Sequence, residues 1–242
     1  MRKGDFAFCV VVDGNILPER PDARSDRTWV VAEKGKEFSL LLVNASRGRV
    51  AVVPEIDGVS AIHGRPVTVE DAPSYVIAPR SRFLVPGWRI DAHSVATFLF
   101  GAAPDGYARA LGAPRGHVGF ITAAFFREKP PEPVVDDGPR YSIRSSGGRD
   151  VLFQSAPRRP AVHDAVSAPA PPTATGSRAV DEGTDNVAVA FGRRARHQVR
   201  TASRFVRANA GVPDAEFSIG YDTARAFQGI PEGCPIPPGW SG

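Results

Sequence analysis

The stretch His117-Val118-Gly119-Phe120-Ile121-Thr122-Ala123-Ala124-Phe125-Phe126 runs directly into Arg127-Glu128-Lys129-Pro130-Pro131-Glu132-Pro133, and the join divides the chain. Before it, short apolar runs alternate with turn residues. After it, proline, alanine and arginine dominate, with isolated structured patches. Within 117–126, Val118, Phe120, Ala124 and Phe126 fall on one face of a strand, and Ile121, Ala123 and Phe125 on the other. Successive side chains point to opposite faces of a strand, so two apolar faces predict a central strand covered on both sides. Residues 5–12 read the same way.

Working outward, further strands are expected at 28–32, 37–43, 49–53, 74–78, 82–86 and 94–100. Each is short, rich in Val, Ile, Phe or Thr, and bounded by turn residues. Asp13-Gly14 and Asp57-Gly58 suit turns with positive φ, which glycine adopts at little steric cost. Residues 33–36 and 44–48 each join two β runs at hairpin length. Eight strands at this spacing predict a mainly β fold, an antiparallel β-sandwich or jelly-roll-like domain over 4–128. A domain of roughly 125 residues buries about two thirds of its unfolded surface and folds without staples.

Residues 129–155 read as a proline-rich connector with a weak hairpin between 141–143 and 151–153. Residues 156–184 hold too few large apolar side chains to offset their ordering entropy and predict a disordered linker. A C-terminal patch follows over 185–230, then a flexible tail over 231–242. Within the patch, Arg196, Arg200, Arg204 and Arg207 share one helical face, and Ala195, Val199, Ala202 and Val206 the other. That pattern favours helix over strand across 193–209. Residues 214–221, with Phe217 and Ile219 alternating, read as a strand, and 223–227 as a helical turn.

Composition bounds the class without naming a chemistry. Hydrophobic residues make up 42% and charged residues 23%, as in ordinary soluble proteins, while 24 Gly and 23 Pro favour turns over helix. The net charge of +4 divides evenly between 1–128 and the remainder, too weak a bias to imply nucleic acid. Cys9, inside an apolar run, acts as a small hydrophobe, and Cys9 with the distant Cys234 makes neither a disulfide framework nor a metal cluster. Met1-Arg2-Lys3 and the run after it imitate a signal peptide, but Asp5 and Asp13-Gly14-Asn15 bound the run tightly and no cleavage site follows. No run reaches the roughly 18–20 apolar residues that span a bilayer. The expectation is a soluble, cytoplasmic protein with no membrane span.

The five histidines, His63, His93, His117, His163 and His197, show no metal-ligand spacing, so a metal would require ligands gathered from distant strands. There is no Gly-x-Ser-x-Gly elbow, phosphate loop or dinucleotide fingerprint. Cys9 lacks a histidine partner, and Asp136-Asp137 reads as a solvated turn. No catalytic residue, metal or cofactor is assigned.

Two groups stand out. At Gly87-Trp88-Arg89, glycine allows a sharp step after Val85-Pro86, and Trp88 and Arg89, with Tyr107 nearby, would stack a sugar ring or anchor a partner protein. Equally, Trp88 would plug one end of the β domain while Arg89 bonds loop carbonyls. The second group is Arg193, Arg194, Arg196, Arg200, Arg204 and Arg207, six guanidinium groups in 15 residues with no acid among them. Such a run would contact several phosphates, though Phe205 alone offers an aromatic for stacking. The plainer reading is a solvated face, or pairing with acids such as Glu70 or Asp71.

At Gly87-Trp88-Arg89, Val95-Ala96-Thr97-Phe98-Leu99-Phe100-Gly101, Tyr107-Ala108, Gly116-His117-Val118-Gly119-Phe120-Ile121, Phe205-Val206-Arg207-Ala208 and Ile219-Gly220-Tyr221-Asp222, the chain resembles an uncharacterised family of bacterial proteins. The resemblance covers most of the chain outside the linkers. It implies a β-rich architecture, a strand over 199–208, and a C-terminal patch that packs onto the first domain. Where such relatives carry a Gly-Thr-Gly-His-Gly-like stretch, Val189-Ala190-Phe191-Gly192-Arg193 stands here. The resemblance implies no activity. Together these readings point to a non-catalytic protein-interaction or structural module with a protein partner. The alternatives are a nucleic-acid-associated protein using the arginine run, and a glycan or small-molecule binder using Trp88 and Tyr107.

Overall fold

A computed structural model of the chain describes residues 1–22, 27–69, 72–102, 106–111, 118–130, 187–197, 204–209 and 211–228. Those up to 129, together with 187 onward, belong to one compact unit; 130–166 forms a second. Beyond Pro130 that second unit lies outside the described residues, as do the expected hairpin at 141–153, the expected disordered linker, the tail and Asp136-Asp137.

The strands are β1 (Arg2–Lys3), β2 (Phe6–Val12), β3 (Asn15–Ile16), β4 (Arg20–Pro21), β5 (Thr28–Val31), β6 (Glu37–Asn44), β7 (Val50–Ile56), β8 (Val59–Ser60), β9 (Tyr75–Ile77), β10 (Ser81–Val85), β11 (Gly87–Arg89), β12 (Ser94–Ala102), β13 (Phe120–Arg127), β14 (Val187–Arg196) and β15 (Ala215–Asp222). A single helical turn, α1 (Tyr107–Ala110), precedes β13, and a 3₁₀ turn (Ala224–Phe227) follows β15. The fold is mainly β, in two mostly antiparallel sheets. Among the described residues, no helix is long and apolar enough to cross a membrane.

In the first sheet β2 pairs with β6, and β6 with both β10 and β12. The chain crosses from β10 to β11 at Pro86, changing partner from β6 to β12. β14 then pairs along β12. In the second sheet the order is β4-β5-β15-β13-β7-β8, with β9 also on β7. β13 sits between β15 and β7, as two apolar faces require. β2 differs from that reading. Phe6, Phe8 and Val10 are buried, but the alternate residues, on the opposite face, are only partly covered; along the edge away from β6, β2 pairs among the described residues with the two-residue strands β1 and β3. β15 pairs in parallel with β5, a contact that no local pattern announces.

Rings from both sheets meet in the core. Phe6 of β2 stacks on Phe125 of β13 at 5.2 Å, and Phe8 lies 6.1 Å from Phe217 of β15. Phe100 of β12 lies 5.6 Å from Tyr221 of β15. Each such ring removes 150–250 Å² from water, so these contacts dominate the cohesion of the core.

A smaller apolar cluster joins Ala51 and Val53 of β7, Ala124 and Phe126 of β13, and Ala72 from the segment before β9, with Val67, Val69 and Phe205 packed against it. Here the helical reading of 193–209 fails over its described parts. Residues 193–196 belong to β14, and 204–208 run beside β13, bridged at Glu128 and Arg207. Lys129 N–H donates to the Val206 carbonyl at 2.8 Å, and Ala208 N–H to the Arg127 carbonyl at 2.9 Å. Neighbouring strands supply backbone partners that an isolated 3.6-residue periodicity cannot foresee.

Candidate functional site

The Gly-Trp-Arg step forms β11. Trp88 is 2% exposed and packs against Phe98, Tyr107 and Phe191, with centroids at 5.2, 5.0 and 6.1 Å. Tyr107, held by a hydrogen bond from its hydroxyl to the Gly64 carbonyl at 2.5 Å, lies 4.2 Å from Phe191. Arg89 does not join this cluster. Its N–H donates to the Ala61 carbonyl at 3.2 Å and its Nε to the Asp91 carbonyl at 3.3 Å. Strand alternation separates the two side chains: Trp88 enters the core and Arg89 turns to the loop at the β11–β12 hairpin. The buried indole Nε1 has no hydrogen-bond partner among the described residues.

β14 carries the start of the arginine run and is bulged. Ala96 opposes Arg194, but Phe98 opposes Phe191, so Gly192 and Arg193 together face Thr97. Glycine leaves room there for the Thr97 hydroxyl, since a Cβ on Gly192 would lie 2.2 Å from Thr97 Oγ1 and displace it. The Glu37 carboxylate closes the bulge. It accepts from Thr97 Oγ1 at 2.8 Å, from Arg193 N–H at 3.3 Å and from Arg193 Nε at 3.0 Å. Partial burial works to raise the Glu37 pKa, but these hydrogen bonds and the Arg193 charge outweigh it and hold the group below its ordinary value.

The remaining described arginines differ in their commitments. Arg194 donates to Asp91 at 2.9 Å and to Ser94 at 3.0 Å. Arg207 donates to the carbonyls of Val69 and Ala72 and lies over the Phe126 ring at 4.1 Å. Its role is to fasten 204–208 to the sheet. Arg196 and Arg204 are exposed and carry no side-chain ion pair among the described residues. Arg200, Glu70 and Asp71 lie outside the described residues.

Residues 91–94 and 194–196 line an open groove between the β11–β12 turn and the end of β14. Asp91 organises the turn by accepting from Ser94 Oγ at 2.6 Å and His93 N–H at 2.8 Å. The Ser94 bond, then His93 N–H and the Arg194 charge, bring its pKa down to about 2. We expect carboxyl chemical shifts to give an Asp91 midpoint near 2. The folded pKa lies below the ordinary one, so the contribution of Asp91 to turn stability is present above about pH 4 and is lost as pH falls through the depressed value. In Ser94→Ala the midpoint should move toward the ordinary aspartate value. An unmoved midpoint would show that the hydroxyl does not set it.

Two buried polar features carried no sequence signal. Asp57, read only as a turn residue, is 1% exposed. It accepts from Tyr221 Oη at 2.7 and 2.8 Å, Gly119 N–H at 2.8 Å and Val189 N–H at 3.4 Å. The other feature is a pair of buried polar ends, Tyr75 Oη and His197 Nε2, that lack hydrogen-bond partners among the described residues. Turn aspartates ordinarily face solvent, and lone tyrosines and histidines are common packing residues, so neither stands out in one dimension.

Cys9 is half-buried, and burial raises its thiol pKa. Among the described residues, no group of three or more His, Cys, Asp or Glu side chains is arranged to hold a metal ion. His117, His163 and Cys234 lie outside them. No family model, curated protein or solved structure matches the chain.

Proposed function

We propose that the protein is a non-catalytic protein-interaction module that receives an extended acidic segment of a partner along the outer edge of β14, beside Arg196. The observation that carries this reading is the position of β14. Among the described residues it pairs on one side only, with β12, and its last residues, Gly192–Arg196, are partly or fully exposed. An unpaired edge offers backbone N–H and C=O groups for strand addition, and the groove at 194–196 places positive charge next to that edge. Bulges and edge charges also protect sheets from self-pairing, so the test must separate binding from protection.

A nucleic-acid reading has narrower support. Arg193, Arg194 and Arg207 are engaged within the chain, which leaves Arg196 and Arg204 as the described arginines of the run without an ion pair among the described residues. A glycan reading would require the enclosed Trp88 to open.

Selection of extended peptides on the full chain, followed by anisotropy titration, tests the proposal. Acidic peptides with alternating apolar residues should be enriched. Arg196→Glu should weaken them about tenfold or more, whereas Arg204→Glu, away from the groove, should leave them unchanged. Failure to enrich acidic peptides, or full affinity in Arg196→Glu, overturns it. Single-stranded nucleic acid bound in a steeply salt-dependent way, and weakened equally by both variants, would favour the second reading.

A further inference from the structure

β15 pairs with β13 from Phe120 to Phe125. The next backbone groups along β13, the Arg127 carbonyl and the Lys129 N–H, are taken instead by Ala208 and Val206 of the short segment 204–208. Exposure alternates along that segment: Arg204, Val206 and Ala208 face solvent, while Phe205 and Arg207 are partly buried, the two-residue period of an extended chain. Phe205 packs on the cluster of Ala51, Val53, Ala124 and Phe126. Arg207 lies 4.1 Å over the Phe126 ring and donates to the Val69 carbonyl at 2.8 Å and the Ala72 carbonyl at 3.1 Å. Arg49, bonded to Glu128, donates to the Arg204 carbonyl at 3.0 Å.

We propose that this surface is a peptide-binding site which residues 204–208 occupy in cis, and that an extended partner segment bearing an aromatic residue and, two positions on, an arginine displaces them. Three physical points support this. The surface recognises an extended chain by backbone bonds to a strand edge and by seats for alternate side chains, as in strand addition. The seat under Arg207 suits a planar guanidinium, which stacks on a ring while its fork bonds two carbonyls; an ammonium cannot do both. The attachment is also slight. β15 is held along both edges by β13 and β5, whereas 204–208 has one isolated bridge among the described residues, and Val206 is 44% exposed. Such segments open ahead of global unfolding, and opening here uncovers Ala51, Val53 and Phe126, a contiguous apolar patch of the kind that takes partners. The site belongs to the second sheet and β14 to the first, so it is independent of the edge-strand reading.

The test is anisotropy titration of the full chain with a labelled peptide of sequence Arg-Phe-Val-Arg-Ala-Asn, residues 204–209. The double variant Phe205→Ala, Arg207→Ala, which lacks both seated side chains, should bind it saturably. Wild type should bind about tenfold more weakly or less, because its tethered segment competes. Replacing the second arginine of the peptide by lysine should weaken binding to the variant about tenfold, and a scrambled peptide should not bind. Hydrogen exchange on wild type provides a second measurement that needs no variant. The Lys129 and Ala208 amides should exchange through local opening, faster than those of Thr122 and Ala123 in the middle of β13. A folded double variant that does not bind the peptide, equal binding of the scrambled peptide, or Lys129 and Ala208 amides that exchange only with global unfolding overturns the proposal.

Discussion

Gly87→Ala is expected to cost about 3–5 kcal/mol, at the upper end of what a single added methyl group does. A Cβ at this position would lie 2.0 Å from the Ala96 carbonyl oxygen, 2.6 Å from its carbon and 2.7 Å from Thr97 Cα. All three atoms are backbone of β12, which β14 holds along its other edge, so the obstacle cannot swing aside as a side chain would. Relief requires β11 to leave β12, and that withdraws Trp88 from Phe98, Tyr107 and Phe191. For a chain of this size, Tm should fall by roughly 6–20 °C. Gly48→Ala is the control, since nothing lies within 4 Å of its added Cβ. Thermal unfolding followed by tryptophan fluorescence decides between them. Equal midpoints for the two variants would mean that β11 does not sit against β12 as described.

Asp57→Ala is expected to have a comparable effect, about 3–5 kcal/mol, because it orphans buried donors at three places at once. Tyr221 Oη, Gly119 N–H and Val189 N–H come from β15, the loop before β13, and β14. The carboxylate therefore ties both sheets to the β7–β8 turn. Alanine adds strain of about 1 kcal/mol, since Asp57 holds φ 53°. Asp57→Asn keeps one acceptor and should lose less, about 1–3 kcal/mol.

The same residue gives a pH signature. Desolvation raises the folded pKa of Asp57 above its ordinary value, outweighing the bonds from Tyr221 and the backbone. The folded chain therefore holds this proton more tightly than the unfolded chain does. The contribution of Asp57 is largest below about pH 4 and declines as pH rises through the folded pKa. Asp91, Glu37 and Glu128, with depressed values, act in the opposite sense. The informative quantity is thus the difference between wild type and Asp57→Asn in urea unfolding at pH 3.5 and pH 7. It should shrink as pH rises; a difference that grows would mean that the carboxylate is stabilised in its charged form.

Much of the strand content was legible beforehand. The runs expected at 5–12, 28–32, 37–43, 49–53, 74–78, 82–86, 94–100, 117–126 and 214–221 all contain observed strands, because alternation and turn residues act within a few positions. Asp13-Gly14 and Asp57-Gly58 take the positive φ angles their sequence invites. The two-residue strands β1, β3, β4 and β8 were not legible, since two residues carry no period. Nor was β14, whose Arg193-Arg194-Ala195-Arg196 end mimics a helical face until β12 supplies its backbone partners.

The candidate site was less legible than the fold. Gly87-Trp88-Arg89 was singled out, yet nothing local said that Trp88 would be enclosed by Phe191 from the far side of the connector, or that Arg89 would bond the Ala61 and Asp91 carbonyls. The six arginines looked equivalent in one dimension. Glu37, Asp91 and the Val69 and Ala72 carbonyls, all more than 90 residues upstream, distinguish Arg193, Arg194 and Arg207 from Arg196. Local chemistry, meaning alternation, turn propensity and apolar content, settled the class of fold and most strand positions. Tertiary contacts settled which polar groups are spent on the fold and which are left over, because burial and ion pairing depend on partners distant in the chain.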